Sequence, residues 1–222
     1  SHLPSVVAEG RQVIANIERV SMIFLTKTVW ATGLAVVFGL LVLPFPFLPR
    51  QLSIVDGLTI GIPSFFLALL PSNDRYRPGF LRRSLSFAIP TGIVFTLAFT
   101  FYGWSARALG IPLAEERSGA TLVLTILALW VRIVISRPIT AFKALVIGAM
   151  MIGLTLVYAV PFARDFLELT DLGVESAVLV LVTVVVSVAL IEVVRFVHRR
   201  YLRRLEARTS VVLAESPTAP RA

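Results

Sequence analysis

The sequence predicts an all-α, polytopic membrane protein: a bundle of six transmembrane helices, the first extended into a cytoplasmic stalk. Three observations carry this reading. Of 222 residues, 57% are hydrophobic and only 15% charged, where soluble domains hold roughly 25% charged residues. The apolar residues gather into six runs of about the ~20 residues that a helix needs to cross a bilayer. Lys and Arg outside those runs are unequally shared, thirteen on the side of the N-terminus and four on the other. That bias places the richer side, and both termini, in the cytoplasm of a plasma-membrane protein.

Residues 1–20 form the stalk. Val6, Val7, Gly10, Val13, Ile14, Ile17 and Val20 fall at helical spacing, with Glu9, Arg11, Asn16 and Arg19 mostly opposite. Pro4 suits a first helical turn. No breaker separates this stretch from the apolar run Ser21–Leu43, so one helix of ~38 residues, ~57 Å long, is expected. Pro44, Pro46 and Pro49 end it in a tight hairpin to Gln51–Pro71. A polar loop, Ser72–Arg83, leads to four further spans at about Ser84–Trp104, Gly119–Ser136, Ala141–Pro161 and Glu175–Val197. They are joined by Ser105–Ser118, Arg137–Thr140 and the acidic Phe162–Val174. Residues 21–197 thus make the transmembrane domain and 198–222 a basic cytoplasmic tail, whose end, Thr209–Ala222, is Pro-, Ser-, Thr- and Ala-rich and expected to be disordered.

Composition also excludes functions. The net charge of +8 is no nucleic-acid signal, because the basic residues cluster at the ends of apolar runs and no RNP, zinc-finger or basic-aromatic pattern is present. The absence of cysteine removes disulfides, thiolate metal sites and cysteine nucleophiles. Residues 1–20 are amphipathic and charged, unlike a signal peptide. His2 and His198 form no ligand pattern, and neither a GxSxG elbow nor a GxxxxGK[ST] loop occurs. No soluble stretch is long enough for a catalytic domain, so the chain by itself is not expected to hydrolyse a nucleotide.

The chemistry concentrates in Gln51–Pro71, an apolar run interrupted by Asp56, Gly57, Thr59, Gly61 and Pro63. A carboxylate at membrane depth costs roughly 2.5–3.5 kcal/mol on insertion scales and by default marks a functional site. Gly57, Gly61 and Pro63 weaken the helix around it, and opened backbone beside a carboxylate is how transporters assemble a cation site. The alternative is a packing helix with a GxxxG face and a paired aspartate. Lys27, one and a half turns into the first span, either snorkels to the headgroups or gates this site. With straight helices Lys27 lies ~25 Å below Pro44 and Asp56 only ~10 Å below Pro49. A direct pair is then out of reach unless the second helix is unwound to ~3.3 Å per residue. Arg132 and Lys143, near helix ends, are expected to snorkel; Glu192 and Arg195, three apart, form a local pair.

These residues resemble the C-terminal membrane half, helices five to ten, of a P-type cation-transporting ATPase, and most closely its actinobacterial cation-transporting ATPase E subgroup. LPSVVAEGRQVIANIERVSMIFLTKTV (Leu3–Val29) is similar to the fifth-helix stalk, and PRQLSIVDGLTIGIPSFFLALLP (Pro49–Pro71) to a sixth helix of pattern QLLWVNLVTDGLPA. Asp56 takes the asparagine position and Thr59 the threonine, while Ile60 replaces the usual ion-binding aspartate. Thr28 and Ala31 stand where calcium pumps carry asparagine and glutamate, and Lys27 matches a lysine of the gastric proton pumps.

The resemblance implies a translocase fragment, with Ser1 a cut end, that passes a cation, possibly calcium, across the lipid bilayer. Its partners would be the actuator, phosphorylation (DKTGT) and nucleotide-binding (GDGxND) domains and helices one to four of the same pump, which use ATP and Mg²⁺. On this reading Asp56, Thr59 and Thr28 line the ion path as hard oxygen ligands. Lys27, Gly57, Gly61 and Pro63 gate it. The other reading is a stand-alone six-helix permease or membrane scaffold without enzymatic activity. A reading frame continuing upstream of Ser1 through DKTGT separates the two.

Overall fold

The computed structural model describes residues 3–68, 79–137 and 139–215. Among them the elements are helical throughout. Helix α1 (Leu3–Leu40) is one unbroken rod of 38 residues, as expected from the absence of breakers. Next come α2 (Pro49–Asp56), a π turn (Gly57–Gly61) and α3 (Ile62–Ala68), joined end to end. The remaining helices are α4 (Phe80–Ala108), α5 (Leu113–Ser136), α6 (Ala141–Ala159), α7 (Pro161–Leu167) and α8 (Val174–Glu215).

Five stretches among the described residues are long and apolar enough to cross a membrane: Val20–Leu40, Phe80–Ala108, Leu113–Ser136, Ala141–Ala159 and Val174–Arg204. The expected sixth, Gln51–Pro71, is instead split by the π turn into two short helices, and Pro71 lies outside the described residues. The loop Ser72–Arg83 is described only from Gly79, and all but its last residues fall outside. Helices α4 and α5 begin earlier than hydropathy alone indicates, at Phe80 and Leu113, so Glu115 and Glu116 sit in the first turn of α5, where an N-terminus favours negative charge. The acidic connection after α6 holds a short helix, α7. Helix α8 runs through Thr209 to Glu215, where composition predicts no order; residues 216–222 lie outside the described part.

The connection 41–48 reverses the chain as a hairpin and then packs against α1. Val42 takes a left-handed φ of 51° and the Leu43 amide donates back to the Phe38 carbonyl at 2.9 Å, turning the chain sharply downward. Phe45 then packs edge-on to Phe38 (6.2 Å between centroids) and Phe47 to Trp30 (6.2 Å) and Phe99 (5.0 Å). The strand of chain therefore descends beside α1 before α2 begins. Pro46 and Phe47 are buried.

Inside lipid there is little hydrophobic force between helices, so close approach of backbones does the work. Helices α1 and α4 meet through reciprocal glycines. A Cβ on Gly92 would lie 2.5 Å from the Val29 side chain, and one on Gly33 2.3 Å from Thr96 Oγ1. In the same way Gly119 of α5 makes room for the Tyr102 hydroxyl, 2.0 Å from where its Cβ would stand. Around these contacts the core holds Trp30, Leu34 and Phe38 of α1, Phe95 and Phe99 of α4, and Leu124 and Leu127 of α5. Buried threonines donate to the carbonyl one turn back (Thr26 to Met22, Thr59 to Val55, Thr125 to Thr121, each 2.7 Å), which satisfies hydroxyls that lipid cannot.

The end of the bundle where α4 turns into α5 is tied by polar clamps. Arg107 of α4 pairs with Glu116 of α5 at 2.7 Å and donates to the Pro44 carbonyl at 3.3 Å. Arg117 reaches the Phe45 carbonyl at 3.4 Å. Arg50 and Gln51 of α2 donate to the carbonyls of Phe166 (2.8 Å) and Leu167 (3.0 Å).

Two expectations about charges need correction here. Arg132 does not snorkel; it is buried in α5, 2% exposed. Lys143 turns to the protein, its Nζ donating to the Ser136 carbonyl at 2.9 Å and so capping the C-terminus of α5. Arg195 and Glu192 form the local pair expected of them.

Candidate functional site

The site lies where α1 faces the broken helix. On α1, residues Ile23, Thr26, Lys27 and Trp30 recur at helical spacing and share one face. Opposite them stand Val55, Asp56, Thr59 and Ile60, from the end of α2 and the π turn. Phe95 of α4 and Leu124, Ala128 and Val131 of α5 close the back. Together they enclose a cavity of ≈ 30 Å³, room for one or two waters or a single small cation.

Its central feature is an ion pair between the Lys27 ammonium and Asp56 Oδ2. The straight-helix geometry that puts this pair out of reach fails at the connection, not in the second helix. Because residues 41–48 descend beside α1, with Phe47 reaching Trp30, α2 starts well below the top of α1, and its eight ordinary helical residues end with Asp56 beside Lys27. Both side chains are about a third exposed (32% and 31%), so the pair borders the cavity rather than sitting sealed behind it.

The π turn follows Asp56 directly. At its end the Ile62 amide reaches the Gly57 carbonyl, five residues back. A switch from i→i+4 to i→i+5 pairing inserts a residue in the ladder, and such turns recur at functional sites. Gly57 and Gly61 bound this turn; neither would meet a close contact with an added Cβ. Their role is in the backbone, not in packing. Pro63, buried in α3, lacks the amide that would bond back into the turn.

Of the residues expected to line a path, Lys27, Asp56 and Thr59 are brought together, with Thr59 2% exposed. Thr28 is not. It is exposed on the opposite face of α1, its hydroxyl bonded to the Phe24 carbonyl at 3.0 Å. Thr26, 3% exposed, takes the place that sequence reasoning gave to Thr28. The spacing Ile23–Thr26–Trp30 (i, i+3, i+7) was the available signal, since a tryptophan anchors a protein-facing stripe. Two further buried charges, Glu116 at 1% and Arg132 at 2% exposure, lie outside this cavity. Among the described residues no group of three or more His, Cys, Asp or Glu gathers as a ready-made metal cage. Any cation here would be held by one carboxylate, hydroxyls and backbone carbonyls.

Fold and site together define a multi-pass helical membrane protein with a charged pair set in an interrupted helix. The chain is similar to P-type cation-transporting ATPases, as its two motif stretches indicate. It is 37% identical over 215 residues to the "Calcium-transporting ATPase CtpE" of Mycolicibacterium smegmatis, a match covering 90% of this chain and 27% of the relative. The proteins of the same name in Mycobacterium bovis and Mycobacterium tuberculosis are each 37% identical over 214 residues, again 90% of this chain and 27% of theirs. The chain thus spans about a quarter of the length of these relatives, and the likeness reaches well beyond the two motifs into the later helices. No family model matches the chain.

Proposed function

We propose that this chain is the ion-path domain of a P-type pump, carrying calcium or a similarly hard cation between α1 and the interrupted helix. The observation that carries the reading is the Lys27–Asp56 pair at the π turn, beside a cavity of one-ion size. Asp56 supplies charge, Thr59 and Thr26 supply hydroxyl oxygens with free lone pairs, and the π turn supplies a carbonyl; such oxygens suit Ca²⁺ better than soft metals. The names of the relatives support calcium in particular.

Lys27 acts as a built-in counter-cation. With no ion present its ammonium neutralises Asp56, so the emptied site can return across the membrane without an unpaired charge. An arriving cation must displace it, and one bound divalent ion per carboxylate is then the limit. Helix α1, continuous from Leu3 to Leu40, would pass motion from domains of the longer protein, where ATP and Mg²⁺ are used, to Lys27. Access would alternate as the pair opens and closes.

The test is calcium uptake by inside-out vesicles bearing the full-length protein. Asp56→Asn is expected to abolish uptake with expression unchanged, and Thr26→Val to lower apparent calcium affinity more than Thr28→Val. Uptake at the wild-type level in Asp56→Asn would remove this cavity from the path.

A further inference from the structure

A second cavity, of ≈ 270 Å³, lies at the opposite end of α4, where its first turns meet the C-terminal part of α8. Ser86, Pro90, Val193, Val197, His198 and Tyr201 line it. Val193 and Val197 are 57% and 58% exposed, so the groove opens sideways from the bundle, toward lipid. Pro90 helps to shape it: with no amide at that position, the Ser86 carbonyl has no partner one turn on. The Ser86 hydroxyl bonds the Arg83 carbonyl at 2.8 Å and His198 Nδ1 at 3.0 Å, fixing α4 to α8 at the floor.

The rim is cationic. Arg82 Nε donates to the Tyr201 hydroxyl at 2.5 Å, with its guanidinium 5.5 Å from the ring centre. Arg204 stands one turn beyond Tyr201 on the same helical face and is exposed. Between His198 and Arg204, α8 carries four arginines and no acidic residue. An apolar slot at acyl depth below a guanidinium rim at headgroup depth matches the two halves of a phospholipid. Arginine pairs phosphate through parallel hydrogen bonds. Among the described side chains of the groove and its rim there is no carboxylate, which disfavours a headgroup that brings its own cation.

We propose that this groove binds one anionic phospholipid, its phosphate on Arg82 and Arg204 and an acyl chain along Pro90, Val193 and Val197. The proposal requires that α4 and α8 span a membrane, and it is independent of the ion path. Native mass spectrometry of the full chain in detergent, titrated with phosphatidylglycerol or phosphatidylcholine, tests it. One retained phosphatidylglycerol is expected, with phosphatidylcholine at least about tenfold weaker. Arg82→Gln with Arg204→Gln should weaken the anionic lipid about 30-fold, at about fivefold per arginine near such a phosphate. Val197→Trp fills the slot and leaves every arginine in place; it should remove binding as well, with circular dichroism unchanged. Equal retention of the two lipids by the unaltered chain overturns the proposal. So does wild-type phosphatidylglycerol binding by Val197→Trp, or equal affinity for soluble glycerol 1-phosphate.

Discussion

Removing one member of the Lys27–Asp56 pair should cost more than removing both. Stripping the partner from a fully buried charge destabilises by about 3–5 kcal/mol. Here each side chain is about a third exposed, and solvent screens the remaining charge, so about 1–2 kcal/mol is the reasonable expectation. For a chain of this size a kcal/mol moves the melting point by about 2–4 °C. Lys27→Met and Asp56→Leu alone should therefore each lower Tm by about 2–8 °C. The double variant has no charge left to strand and should lose clearly less than the sum, a coupling of at least about 1 kcal/mol. Thermal unfolding of the purified chain in one detergent, followed by circular dichroism for all four proteins, measures this. Strictly additive losses would show that the two groups do not interact and that Lys27 merely reaches for headgroups.

Three further outcomes follow from the packing. Gly92→Ala places a methyl 2.5 Å from Val29 and should destabilise by about 1–3 kcal/mol through overpacking, whereas Gly148→Ala, with nothing within 4 Å, should be neutral in the same melting assay. Arg107→Ala strands Glu116, 1% exposed, and should cost about 3–5 kcal/mol, largely restored by adding Glu116→Gln; an undiminished melting point in Arg107→Ala would show that the Arg107–Glu116 clamp contributes nothing. Since the chain has no cysteine, single cysteines at Gly10 and Arg204 report the crossing count: labelling from the same side means that the interrupted helix 49–68 crosses the membrane as a sixth span, labelling from opposite sides means five.

The helices were legible because a long apolar run without breakers has one stable form in lipid. That held for α1 through all 38 of its residues. Asp56 was legible for a related reason: a carboxylate in such a run must find a partner or a function. What hydropathy does not encode is which face of an apolar helix meets protein, since lipid tails and side chains are equally apolar. Hence Arg132 was assigned to the headgroups although it lies in the core; Thr28 came from its place in the resemblance, which does not encode that its side chain is exposed while Thr26 lines the cavity. The path of 41–48 was hidden for another reason. Three prolines announce a break in the helix, but the descent beside α1 is decided by where Phe45 and Phe47 find rings to pack on. That is tertiary information. The glycines of the second helix announced weakness there, while the form it took, one extra residue in the hydrogen-bond ladder, depends on both flanking helices staying intact.

The reciprocal glycine contact between α1 and α4 also sets a mechanical ratio. Val29 and Gly33 mark the tightest contacts of α1 with α4, and a tilt of α1 that kept them would pivot there, near residue 31. At 1.5 Å per residue, Leu3 lies about 42 Å from that fulcrum and Lys27 about 6 Å. The long arm is some sevenfold the short one. A swing of about 5 Å at the far end moves the Lys27 backbone by about 0.7 Å, with force multiplied in the same proportion. A displacement of that size is enough to stretch and weaken the Lys27–Asp56 ion pair while leaving the aromatic packing around Trp30 in register. In the proposed pump, modest forces at the Leu3 end of α1 would thus become strong, short strokes at a single carboxylate.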